Sequence, residues 1–163
     1  MKKISIILTL PFIFLTYFSF GIEENKDDIL RKGLIVYKKA NCMGCHSWHG
    51  KGGGGYGAGV SLREPSYEIN ELINIIKCGI PGTGMPYFYK KSYKTQKCYG
   101  TLKEDYTEAQ MPKNSITFLN ERQIKSLATF VYTELQNKEL DKQYCVKFFK
   151  KGSYYTVLQL SNY

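Results

Sequence analysis

Nowhere does this chain sustain the alternation of apolar and polar residues that marks a half-buried strand. Without strands there is no βαβ frame, and two readings that need one fall away. These are a thioredoxin-like C-x-x-C dithiol and a dinucleotide-binding glycine loop, although Gly52, Gly54 and Gly57 satisfy G-x-G-x-x-G. A second cysteine pair is also missing. Cys42 and Cys45 stand close together, whereas Cys78, Cys98 and Cys145 are singletons. A structural zinc site takes four ligands, normally as two spaced pairs, so that reading is excluded too. Histidine is scarcer still, with only His46 and His49. Acidic residues are outnumbered, 14 against 23 Lys and Arg, for a formal charge of +9. No internal repeat occurs, and no lysine-rich amphipathic helix that would lie on an anionic membrane.

The first residues do carry a long apolar run, from Ile4 to Phe20 behind Lys2 and Lys3, and the charged block "IEENKDD" ends it. These proportions read as a secretory signal peptide over residues 1–21, with Ser19 and Gly21 at the −3 and −1 positions. The competing reading is an uncleaved anchor, because the run is near the lower limit for crossing a bilayer. Under either, the remainder is expected to be exported, with the periplasm as its compartment. Removing residues 1–21 takes two lysines away and leaves +7. Such a balance suits nucleic acid, an anionic membrane or an acidic protein. Export argues against nucleic acid, and the membrane enters only if the signal segment is uncleaved, so an acidic protein partner is expected.

Three helices are expected downstream. Residues 28–40 place Ile29, Gly33 and Tyr37 at helical spacing behind Asp28 as N-cap. Residues 66–77 carry the stripe Ile69, Leu72, Ile73 and Ile76 behind Ser66, and Gly79 ends them. Residues 121–136 follow Asn120, which forms a capping-box pattern with Gln123, and bury Ile124, Leu127, Ala128, Val131 and Leu135. Between the last two lies an irregular segment, 79–119, of a length that is usually functional or braced. Residues 137–163 form a C-terminal extension, with one helix near Leu140–Phe149. The chain is therefore expected to be all-α.

One stretch, "NCMGCHSWHGKGGGGYG" at 41–57, carries the chemistry. With dithiol, zinc and nucleotide readings set aside, C-x-x-C-H is the spacing of covalent haem attachment. Cys42 and Cys45, one helical turn apart, would form thioethers with the haem vinyl groups, and His46 would ligate the iron. His49 lies on the same side as His46, which excludes a bis-histidine pair and leaves His49 a solvent or haem-edge residue. The second axial ligand then falls to methionine. Met43 sits inside the motif and cannot reach the far face. Met85 and Met111 each precede proline, and Met111 stands in a polar stretch with no helix leading into it.

With these residues the chain resembles the class I c-type cytochromes over roughly residues 25–136. The resemblance implies a fold of three core helices around one haem c, here with a long ligand-loop insertion and the extension. In it, Gly33 and Tyr37 cross the C-terminal helix at Leu127, Phe130 and Val131. The family's G-P-x-L after the glycine-rich loop stands here as Gly59, Val60, Ser61 and Leu62. The family's proline carbonyl at that point accepts the proximal histidine's Nδ1–H, and Val60 still offers a carbonyl. "KCGIPGTGMPYF" looks like the family's ligand loop and implies Met85 as sixth ligand. A subgroup of exported cytochromes with the same motif further implies a Cys78–Cys98 pair clamping that loop, and leaves Cys145 open.

The expected function follows from the resemblance. It is a monohaem carrier of single electrons between an exported dehydrogenase, a quinoprotein alcohol dehydrogenase by loose analogy, and a terminal oxidase or reductase. Lys90, Lys91, Lys94 and Lys97 would ring the haem edge. A haem c subunit of a larger membrane-associated or dehydrogenase complex is the alternative, its docking surfaces being the insertion and the extension. A haem enzyme would need an open iron and a distal base, so no catalytic residue is expected.

Overall fold

Asn25 opens the first helix, its side chain accepting the Asp27 N–H at 3.0 Å. The computed structural model describes residues 25–56, 59–64 and 67–149. The signal segment and the Ser66 cap expected from sequence lie outside these. Five α-helices are present among the described residues: α1 (Lys26–Lys39), α2 (Met43–His46), α3 (Ile69–Cys78), α4 (Glu121–Phe130) and α5 (Lys142–Phe149). Besides them the described residues hold a 3-10 turn (Lys103–Asp105), a π-turn and isolated bridges, but no strand.

The cap of α1 is Asn25 rather than the expected Asp28. Asp28 lies in the first turn, where its carboxylate pairs with Arg31 at 2.5 Å and Lys32 at 2.6 Å. These partners, Lys32 first, hold its carboxyl below the usual value. Acids in the first turn and Lys38 and Lys39 in the last both suit the helix dipole. For α3 the cap is Glu68, in a reciprocal box with Glu71. The Asn120–Gln123 box stands at the start of α4 as the sequence predicts, with both bonds at 2.9 Å.

After Phe130, α4 widens into a π-turn over Val131–Leu135, closed by Gln136 N–H on the Val131 carbonyl at 2.9 Å. It leaves Leu135 fully buried, its side chain over Gly50 of the loop behind α2.

The main core forms where α1 crosses α4. A Cβ at Gly33 would stand 2.2 Å from the Ser126 carbonyl oxygen and 2.4 Å from Phe130 Cβ, so only glycine permits this approach. Tyr37 and Phe130 pack beside it with ring centroids 5.7 Å apart. Leu72 and Ile76 of α3 join the same cluster, and so do Tyr144 and Phe148 of α5. The C-terminal extension, as far as Phe149, is thus part of the core.

The insertion has a small core of its own. Cys78, Tyr87, Tyr93 and Cys98 are buried together, with Tyr106 and Met111 packed against them. Cys78 and Cys98 are disulfide-bonded.

Candidate functional site

The motif helix α2 is a single turn held at both ends. His46 N–H bonds the Cys42 carbonyl at 2.9 Å, which keeps the two thiols one turn apart. Behind it the glycine loop folds back onto the motif. A Cβ at Gly59 would meet the Cys45 carbonyl oxygen at 2.4 Å, so a side chain there would push the loop off. This approach brings Val60 O to 2.8 Å from His46 Nδ1. A carbonyl can only accept, so Nδ1 carries the proton and Nε2 keeps the lone pair that a metal takes. Valine thus supplies the carbonyl that the family draws from proline.

Burial lowers the basicity of His46 below that of free imidazole, against the Val60 bond, which raises it. The ring therefore stays neutral and available as a ligand. Burial pushes the Cys42 thiol up to about 12. Cys42, Cys45 and Cys145 are all free thiols.

The sequence expectation for His49 is a position in solvent or at the haem edge. The residue is half-buried, edge-on to Trp48 at 5.2 Å, and its Nδ1 accepts the Lys51 N–H at 3.0 Å. Burial first, then the charges of Lys51 and Arg63, lower its pKa.

Met85 rides on the loop that leaves α3. Gly79 ends that helix at φ +65°, a conformation side chains rarely adopt, and a Cβ there would meet the Met85 carbonyl oxygen at 2.6 Å. The loop closes through Ile80 N–H on the Met85 carbonyl at 3.2 Å and Met85 N–H on Thr83 Oγ1 at 3.1 Å. Met85 packs against the main core, the cluster that also takes in Cys42, Trp48 and Leu62. Met111 packs against the other cluster, beside the disulfide.

The loop's root is braced by hydroxyl groups. Ser92 donates to the Lys77 carbonyl at 2.9 Å, Tyr93 to Cys78 at 2.8 Å and Tyr99 to Gly79 at 2.7 Å. These are among the carbonyls that a helix C-terminus leaves without intrahelical partners. No pattern in the sequence marks Tyr93 or Tyr99 for this, because the contact spans a turn of irregular chain. Arg63 and Tyr144, which donate to the His49 and Trp48 carbonyls, carry no sequence signal either, because their partners lie 14 and 96 positions away. Lys90, Lys91, Lys94 and Lys97 are all exposed on the insertion.

Residues 30–134 match the Cytochrome c family, and the chain belongs to it. Neither the curated proteins nor the solved structures hold a match to this chain. Members of the family carry covalently attached haem c, and this is a haem c electron-transfer protein.

The residues present fit that group. Two free thiols sit one turn apart, and an imidazole nitrogen beside them has its proton fixed on the far side of the ring. A thioether lies against the apolar cluster that includes Cys42. Thiol, imidazole and thioether are the donor set of a c-type haem.

Proposed function

We propose that this chain is an exported, periplasmic carrier of single electrons, whose haem would be held by thioethers from Cys42 and Cys45 and by His46 and Met85 as axial ligands. Haem c supplies a one-electron iron couple, which thioether ligation moves to higher potential. The chain's own work is to hold that couple rigid. Val60 fixes the tautomer of His46, and the Cys78–Cys98 bridge and the hydroxyl braces fix the loop of Met85. The observation that carries the ligand assignment is the division of the two Met-Pro sites between cores, Met85 with Cys42 and Met111 with the disulfide.

The partner we propose is an acidic redox protein, an exported dehydrogenase such as a quinoprotein alcohol dehydrogenase on one side and a terminal oxidase or reductase on the other. Support comes from the +7 charge left once residues 1–21 are removed and from the exposed run Lys90, Lys91, Lys94 and Lys97. A basic rim steers an acidic partner and loses its effect as salt screens it.

Two experiments test this. Cys42→Ala with Cys45→Ala should make the haem fully extractable by acid acetone, whereas the parent should retain it. Oxidation of the reduced protein by ferricyanide, an anion, should slow with ionic strength. Lys91→Glu with Lys94→Glu should slow it several-fold more than Lys125→Glu with Lys142→Glu. Equal effects of the two pairs would sink the basic-rim reading.

A further inference from the structure

The chain runs through a strained turn immediately after His46. Ser47 has φ +61°, in the left-handed region that a non-glycine residue keeps only where its surroundings over-determine it. The surroundings here are specific. Four successive carbonyls, those of residues 46–49, each accept a hydrogen bond from a different donor. Gly52 N–H bonds His46 O at 3.1 Å, Tyr37 Oη–H bonds Ser47 O at 2.7 Å, Tyr144 Oη–H bonds Trp48 O at 2.7 Å, and Arg63 Nε–H bonds His49 O at 2.5 Å.

The donors come from four separate places in the chain, one of them far off. Tyr37 reaches in from α1 and Tyr144 from α5, 96 positions beyond Trp48. Arg63 ties the two sides together. Its guanidinium lies 4.9 Å over the Tyr144 ring, and its Nη1 donates to the Lys138 carbonyl at 2.7 Å. The Tyr144 ring also stacks on Trp48, with centroids 6.3 Å apart and planes 21° from parallel.

We infer that Tyr37, Arg63 and Tyr144 are positioning residues for His46, and that α5 is the outer jaw of a carbonyl clamp on its segment. This rests on the reading of His46 as an iron ligand. Its imidazole is fixed at Nδ1 by Val60, but that bond orients the ring only if the backbone carrying it is also fixed. The clamp does this, and it puts the C-terminal extension in control of the proximal ligand. Loss of one hydroxyl should release the Ser47 turn locally while the stacked ring stays in place.

The test uses the haem-loaded full chain and two single-hydroxyl deletions, Tyr144→Phe and Tyr37→Phe, with the exposed Tyr132→Phe as control. Amide hydrogen exchange is read at Gly50 and Gly52, whose N–H groups bond the Ser47 and His46 carbonyls. One lost hydrogen bond corresponds to exchange about tenfold faster there. Core amides of α1 and α4 should be unchanged, and the midpoint potential should move, as it should not for Tyr132→Phe. An equal rise at Gly50, Gly52 and the core amides would make Tyr144 a structural bolt and overturn the inference, as would unchanged exchange or an unchanged potential. His46→Ala separates the two readings. If it keeps the parent's visible spectrum, the ligand assignment fails and this inference with it. If it changes the spectrum while Tyr144→Phe changes nothing, the inference alone fails.

Discussion

Met85 and Met111 are chemically the same residue, each followed by proline, and their neighbours set them apart. Met85 lies half-buried against the cluster that includes Cys42 and Trp48, and Met111 against Tyr93 and the disulfide. Met85→Ala should abolish the weak near-infrared thioether-to-iron band, lower the potential and admit external ligands. Met111→Ala should leave all three unchanged. The bridge adds a second arm. Cys78 and Cys98 close a loop of sequence separation 20, worth about 3 kcal/mol in chain entropy. After reduction, the band should fade at milder denaturant, before His46 is displaced. Loss of the band in Met111→Ala instead would move the ligand to the other core.

At the scale of elements, the crossing of α1 over α4 decides how firmly the haem motif is mounted, since α2 follows α1 after three residues. Gly33 is the point of closest approach. The Cβ of an alanine would meet a backbone carbonyl at 2.2 Å, which no rotamer change relieves. Alanine's better helix propensity returns about 1 kcal/mol, and overpacking costs about 1–3 kcal/mol or more. Gly33→Ala should therefore lower stability by up to about 2 kcal/mol in denaturant unfolding of the haem-loaded protein. An unchanged midpoint would mean that the helices can separate without cost. The helices themselves were legible because each repeats its apolar residues every three or four positions. Their first residues were less so. Asn25 and Asp28 are both good caps, and Asp28 is used instead to pair with Arg31 and Lys32.

Over the whole molecule, the extension changes what counts as the domain. Tyr144 and Phe148 are buried at 5% and 3% exposure, and Lys38 donates to the Phe148 carbonyl. Lys147 pairs with Glu134 at 3.0 Å, an exposed contact of little weight. A chain ending at Gln136 would bare Tyr37, Trp48 and Phe130 on this side. Burying one large apolar side chain contributes about 1.5–3 kcal/mol, so the truncated protein should lose about 4 kcal/mol and melt well below the full chain. Circular dichroism against temperature measures it. Equal melting temperatures would make residues 137–163 an appendage after all.

The sequence by itself determined the class of the protein and singled out Cys42, Cys45 and His46 as one motif. C-x-x-C-H is a local device, its three side chains one turn apart, so five consecutive residues carry it whole. Helical periodicity is local in the same sense, and the glycines at 33 and 59 could be placed by resemblance. What only the tertiary structure decided involves partners distant in the chain. Examples are the valine carbonyl that reaches His46 Nδ1, the tyrosines that close the root of the Met85 loop, and the clamp that Tyr37, Arg63 and Tyr144 form behind the motif. A tyrosine hydroxyl seeking a carbonyl has no period and no fixed spacing. Its partner is set by which backbone groups the packing leaves unbonded, and that is known only once the helices have crossed.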